Sequence, residues 1–304
     1  MNKLTVELVE KQLEHYRIEY NWLLKNKFEV DKIADLDSFE NKTVSFAYLN
    51  KCESLKSHSD IDNSLLIVEN GAEQKCEIIN NLKCAVLSVV DPRLVFILLS
   101  ELLEFELGYK IEPTAVIDPT AKLAKYVSIG HNSVIGKNVT IGNNVRIGHN
   151  VVIYDHVVIG DNCLILDNSV IGCSGVGASR DPQGNYHIFP HIKSVVLEDN
   201  IFIGANCTLS RGTLRDTYIK SGTKINSNSY IAHGVEIGAQ CFVSVSVTIA
   251  GSAIIGDNCW LAPGVTVRDR IKIADNITVG LGAVVTKDLE IAGTYIGHPA
   301  KESD

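Results

Sequence analysis

Several things are missing from this sequence of 304 residues, and each absence narrows its interpretation. An excess of basic charge is absent: the formal net charge is -8, which gives no support for nucleic-acid binding. No long apolar run occurs; the longest, Leu94 to Leu103, is short and carries Glu101, so no membrane span is expected. The opening stretch MNKLTVELVEKQLEHY has early acidic residues and no apolar core segment, so it does not read as a secretory leader. Eight cysteines are present without a CxxC pair. Cys163, Cys207, Cys241 and Cys259 share one repeat position with Ala, Val, Ser and Thr and read as small core residues. That usage suits a reduced, cytoplasmic setting.

What is present is a period of six. From Ile111 to Ile171 every sixth residue is Ile or Leu, and the phase returns at Leu197, Ile203 and Leu209. It returns again at Ile219 and continues through Ile291 in Ile, Leu and Val, making 27 hexads in all. Two residues before most of the aliphatics stands a smaller residue, such as Ala115 or Val127, and Gly often follows the aliphatic, as at Gly130 and Gly142. Asn recurs three residues before the aliphatic, at 132, 138, 144, 150, 162 and 168, where a corner needs left-handed backbone. Such a period fits neither an amphipathic helix nor a hairpin series. It fits a three-sided prism in which each hexad is one short strand and one corner, with the aliphatic pointing into the bore. Three hexads close a coil of 18 residues, so 27 hexads give about nine coils.

Residues 1–110 lack the period and read as a small α/β domain ahead of a repeat domain at 111–304. A helix is expected over Leu4 to Leu24, strands over Thr43–Leu49, Ser64–Val68 and Cys84–Val89, and a second helix over Arg93 to Leu107, opened by Pro92 and capped by Asp91. The repeat is broken twice, at 173–194 and at 210–216. Loops thrown from a rigid scaffold are where ligand contacts collect, and the first gathers Tyr186, His187, Phe189 and His191.

The order of segments VSFAYLNK, DPRLVF, GVGASRDPQGNYHIFP, IGANCTLSRGTLRDT and SYIAHGVEIG resembles the UDP-3-O-acylglucosamine N-acyltransferases of lipid A synthesis. The resemblance implies a left-handed coil, a homotrimer with clefts between neighbouring prisms, and acyl transfer from a thioester to the amine of a nucleotide-linked sugar. His233, in the I-A-H segment, matches the family's catalytic histidine. An ammonium group cannot attack a thioester, so a base titrating near neutrality must take its proton. One coil further on, Gly251 matches the family's oxyanion glycine, and its N–H can stabilise a tetrahedral oxyanion. Successive steps of 18 reach Asp269 and Lys287, a column along which a pantetheine arm would run toward Lys287 and Lys301.

Phe46 and Tyr48 are the aromatics left for a nucleobase, because the family's stacking position falls at Leu49–Cys52 here. Arg270 stands where the family carries a second active-site histidine. Asn226 joins Tyr186, His187, Phe189, His191 and Arg270 as a candidate substrate contact. The last residues read HPAKESD where the lipid A enzymes carry a basic helix. NCWLAPGVTV, VGLGAVVTKDL and YIGHPAK resemble acetyl-CoA-dependent sugar N-acetyltransferases of surface-glycan biosynthesis. The expected function is therefore N-acyl transfer to a nucleotide-linked amino sugar, with acetyl-CoA as the favoured co-substrate. The alternatives are a lipid A enzyme using acyl carrier protein and a non-catalytic trimeric scaffold. No metal is expected: His187 and His191 are spaced i, i+4 but lie in a loop with Phe189 and Pro190 between them.

Overall fold

The computed structural model describes residues 3–103, 109–297 and 300–302. They divide into two compact units, Met1–Gly108 and Tyr109–Asp304.

The first unit is a five-stranded sheet with helices. In chain order its elements are α1 (Val6–His15), β1 (Tyr20–Leu24), β2 (Lys32–Ile33), β3 (Thr43–Ala47), β4 (Leu65–Glu69), α2 (Ala72–Lys75), β5 (Ala85–Val89) and α3 (Pro92–Leu102). The sheet order is β1-β5-β4-β3-β2, with only the β1–β5 pair antiparallel. Strand β4 is an apolar run because both faces are covered. Leu65 and Ile67 point into one core with α1 and α3, and Leu66 and Val68 into the other. Asp91 caps α3 by accepting the Leu94 N–H at 3.0 Å, with Pro92 in the first turn. Of the expected Arg93 to Leu107 helix, residues 104–107 lie outside the described residues.

The helix expected over Leu4 to Leu24 stops at His15. Arg17 takes a positive φ of 53°, and Tyr20–Leu24 then pairs with β5, Trp22 opposite Leu87. Tyr20 and Trp22 pack on one core while Leu23 and Leu24 reach the other, so sheet burial overrides the helical pattern.

The second unit is the prism. Strands mostly two or three residues long stack into three sheets of eight, nine and ten strands, parallel except for a terminal hairpin in the ten, Gly293–Gly297 with Ala300–Glu302. Partners on adjacent coils are 18 residues apart, as in Thr140↔Val158 and Ile141↔Ile159. The insertions do not disturb this register: Ile159 pairs with Leu197 and Leu197 with Ile219. Inward Ile, Leu and Val form one continuous core, each contributing on the order of 1.5–3 kcal/mol by leaving water. Cys163, Cys207, Cys241 and Cys259 are buried within it, and burial pushes the Cys163 thiol up to about 11. Cys76, in the first unit, is disulfide-bonded and so lies outside that thiol set.

All six corner asparagines have positive φ, between 54° and 61°. Tyr126, His156, Ser252 and Arg270 take the same conformation at equivalent corners. The aliphatic register fails at its last member. Ile291 is 64% exposed, and Leu289 is buried in its place, bridging to Ile273, because the chain is turning into the hairpin.

The glycine after the aliphatic has a steric cause. At Gly136, Gly142 and Gly148 an added Cβ would overlap the carboxylate of Asp155, Asp161 or Asp167 on the next coil. Those carboxylates accept N–H groups of the coil below, as from His149 to Asp167 at 2.6 Å. Gly148→Ala is expected to displace Asp167 and cost about 1–3 kcal/mol by overpacking. A denaturation midpoint unchanged from the native protein would refute that account.

Candidate active site

The site forms on one edge of the prism, where both insertions leave the coil. His233 follows the strand Tyr230–Ile231 and precedes Gly234, whose φ of 65° turns the corner. The Ser252 N–H donates to the His233 carbonyl at 2.9 Å, and the Arg270 N–H to the Gly251 carbonyl at 3.0 Å. This ladder stacks His233, Gly251 and Asp269 on successive coils. The imidazole lies close against Gly251: a Cβ there would stand 2.6 Å from His233 Cε1. Glycine is therefore required at 251 by close approach rather than by backbone angle. The Gly251 N–H has no acceptor among the described residues.

The 173–194 insertion closes over the histidine. His191 is 9% exposed, and its ring meets that of His233 edge-on with centroids 5.0 Å apart. Gly175 admits both rings, since a Cβ there would meet His191 Nε2 at 3.0 Å and His233 Cδ2 at 3.2 Å. Neither His191 Nε2 nor His233 Nδ1 has a hydrogen-bond partner among the described residues. Burial, reinforced by the neighbouring His191, lowers the His233 pKa. The ring is thus neutral at pH 7 and able to accept a proton.

The 210–216 insertion is laced to the coils by two arginines. Arg215 donates to the carbonyls of Gly234 (3.1 Å) and Ser252 (3.0 Å), fixing the corners beside His233 and Gly251. Arg211 donates to the carbonyls of Gly172 and Asp155, both at 2.7 Å. The two insertions also join each other, the Ser194 N–H donating to Asp216 at 2.7 Å. Sequence reasoning missed both arginines; their only signal was their place in the short insertion.

The other candidates divide. Phe189 lies near: a Cβ at Gly177 would be 3.7 Å from Phe189 Cβ and 3.8 Å from His233 Nε2. Tyr186 and His187 instead serve a hairpin of Ala178–Arg180 with Tyr186–Ile188. There Arg180 donates to the Tyr186 hydroxyl at 2.8 Å, and His187 Nε2 sits 2.9 Å from Asp181, holding that carboxyl down at about 2. Asn226 is a corner residue whose Oδ1 accepts the Ser227 N–H at 2.7 Å, and among the described residues no contact joins it to His233. Arg270 is an exposed corner residue 4.0 Å from the Asp269 carboxylate. Lys287 and Lys301 come together, lining a cleft of about 360 Å³ with Asp288, Tyr295 and Glu302. In the first unit, Phe46 meets Phe96 and Tyr48 with ring centroids 5.0 and 5.8 Å apart, and Tyr48 is partly exposed. Among the described residues no cluster of three or more His, Cys, Asp or Glu could hold a metal, and no helix is long and apolar enough to cross a membrane.

Comparison with known proteins agrees with this architecture. The family model described as hexapeptide repeat of succinyl-transferase matches residues 234–269, and that of the GMPPB C-terminal domain matches 111–179. UDP-3-O-acylglucosamine N-acyltransferase of Caulobacter vibrioides is 49% identical over 133 residues, 44% of this chain and 39% of the relative. The Methylococcus capsulatus protein of the same name is 39% identical over 83 residues, 27% of this chain and 23% of the relative. The chain thus matches less than half the length of these relatives. Among solved structures, UDP-N-acetylglucosamine acyltransferase of Francisella novicida superposes with a TM-score of 0.59 at 26% identity, over 64% of this chain and 70% of that one. The Bacteroides fragilis enzyme of that name gives 0.57 at 28%, over 64% and 74%. Repeat, sheets and corners define a left-handed parallel β-helix of hexapeptide repeats. The repeat region is thus similar in sequence and architecture to the hexapeptide-repeat acyltransferases.

A chemical-shift titration of His233 should show a midpoint below the ordinary imidazole value. His191→Asn removes the neighbouring imidazole whose electrostatic effect helps to lower that midpoint, and should move it upward. No upward movement would mean that His191 acts on His233 only by excluding water.

Proposed function

We propose that the protein transfers an acyl group from a thioester to the amine of a UDP-linked glucosamine, forming an amide. The observation that carries this reading is His233, neutral and half-buried, packed on a glycine whose N–H has no acceptor among the described residues. The names of the relatives supply the substrate class: the Caulobacter vibrioides and Methylococcus capsulatus proteins are UDP-3-O-acylglucosamine N-acyltransferases.

In this reading the sugar amine attacks the thioester carbonyl while His233 takes its proton. A C–N bond forms, and the negative charge on the carbonyl oxygen is met by the Gly251 N–H. The intermediate collapses, the C–S bond breaks, and the proton on His233 passes to the departing thiolate. His191 and Phe189 exclude water from this step, and Arg215 holds the two corners in place. Phe46 and Tyr48 are the candidates for the nucleobase, with the 1–110 domain as its platform. The working form is a homotrimer in the cytoplasm, a neighbouring prism completing each cleft. Tyr186, His187, Asn226 and Arg270 have weaker support as substrate contacts, the first two being engaged within their own hairpin.

The names of the relatives fit the lipid A-pathway alternative, with acyl carrier protein as donor, better than the acetyl-CoA reading. Acetyl-CoA keeps a place because Lys287, 18 residues beyond Asp269, shares a cleft with Lys301. Adjacent coils stack about 4.8 Å apart, so Lys287 lies roughly 14 Å from His233, within reach of a pantetheine arm.

His233→Ala should lower turnover about 10²- to 10⁴-fold, the usual scale for a lost general base. The assay uses UDP-3-O-acylglucosamine with acyl carrier protein thioesters and, separately, acetyl-CoA. Activity within a few fold of the native protein would remove His233 from the mechanism. The Lys287→Glu, Lys301→Glu double variant should raise KM for acetyl-CoA, with partial relief by salt, and leave KM for the sugar unchanged. An unchanged acetyl-CoA KM, or no turnover with acetyl-CoA, would leave acyl carrier protein as donor.

A further inference from the structure

Along the corners, an aspartate two residues after an inward aliphatic folds back and accepts an N–H from the coil below. Asp155 accepts from Lys137 (2.8 Å), Asp161 from Asn143 (2.7 Å), Asp167 from His149 (2.6 Å) and Asp199 from Asp161 (2.8 Å). Asp257 accepts from Ala239 (2.8 Å) and Asp275 from Asp257 (2.7 Å). In all six cases the residue before the donor is glycine, at 136, 142, 148, 160, 238 and 256. In each, an added Cβ would overlap the capping Oδ1. The constraint is graded rather than absolute: where Ala124 precedes Lys125, the cap from Asn143 stretches to 3.3 Å.

Asp269 is another aspartate of this kind, one coil beyond Gly251, yet no hydrogen bond joins it to the Gly251 N–H. The residue before Gly251 is Ala250, the Gly251 N–H has no acceptor among the described residues, and the Asp269 carboxylate is 56% exposed beside Arg270. We propose that Ala250 is a positioning residue whose methyl group denies Asp269 the capping position, keeping the Gly251 N–H available next to His233. This deepens the proposed function, because it rests on that N–H meeting the oxyanion. A capped Gly251 would lose its donor and also place a carboxylate where negative charge develops, which is doubly unfavourable.

The test is Ala250→Gly, a substitution that installs the residue found before all six capped donors and so should preserve the coil. The crystal structure of the variant should show an Asp269 carboxylate oxygen within hydrogen-bond distance of the Gly251 nitrogen. Turnover should fall about 10²-fold, the scale for losing one oxyanion donor, with KM for both substrates within a few fold. Adding Asp269→Ala should return turnover to that of Asp269→Ala alone, whereas Asp269→Asn, which keeps an accepting oxygen, should not. An Asp269 that stays outward in the Ala250→Gly crystal overturns the proposal, as does a double variant as slow as Ala250→Gly. If the native protein shows no acyl transfer, the functional reading fails, and the crystal structure alone still decides the steric claim.

Discussion

Everything in the repeat unit depends on one constraint: each coil must present the next with the same backbone ladder 18 residues later. A two-residue strand has little stability by itself, so strands such as Thr140–Ile141 persist only because parallel partners lie above and below. The aliphatic stack supplies the free energy, and the ladder fixes its direction. Because the ladder sets coil-to-coil register, an insertion can leave at a corner without shifting the coils beyond it. Ile159 meets Leu197 as squarely as Ile141 meets Ile159. Loops can therefore vary in length at one edge while the wall beneath them stays rigid, which is the condition for holding two coils' worth of functional groups in fixed geometry.

That rigidity is spent unevenly. Six corners are closed in one way: the carboxylate of one coil satisfies the amide of the coil beneath, and glycine makes room for it. At His233 and Gly251 the same corner is left open. Among the described residues, His233 has a ring nitrogen without a partner, Gly251 an amide without an acceptor, and His191 a buried nitrogen likewise unpaired. Buried polar groups are ordinarily hydrogen-bonded, so two buried, unpaired ring nitrogens beside an amide without an acceptor mark a place where the structure withholds its own partners from a ligand. His131 and His149 supply the contrast. They occupy the same hexad position as His233, and there the His131 N–H donates to His149 Nδ1 at 2.8 Å, with the rings stacked. Hexad position alone does not make a histidine reactive; an unsatisfied neighbourhood does.

How much of this was legible in sequence depended on range. Period, bore residues and corner asparagines are local properties repeated many times, so Ile141 or Asn144 announces its place by simple counting. His233 over Gly251 was legible for the same reason, being one coil apart. Leu4–Leu24 misled because its apolar spacing satisfies a helix, while the choice between helix and strand was made by β5, far away in sequence. Ile291 misled because the period continues in the letters after the chain has left the wall. Tyr186 and His187 looked like ligands by their neighbours, but Arg180 and Asp181 at the hairpin claim them first. Arg215 could not be found by counting, since its place over Gly234 and Ser252 depends on how an irregular loop folds.

The departures from the repeat thus carry more about function than the repeat itself, and they do so at the level of single atoms. One methyl group separates Ala250 from the glycine found before all six aspartate-capped donors of the same corner type. In a wall built by repetition, the default at Gly251 would be an amide satisfied by Asp269, stable and inert. Removing that default gives up one hydrogen bond, a net loss of about 0.5–1.5 kcal/mol that a long cooperative stack can absorb. The compensation is an amide held ready beside a neutral imidazole by the same ladder that aligns every other coil. A scaffold of this kind acquires a site less by adding reactive groups than by declining, at one corner, to satisfy those it already has.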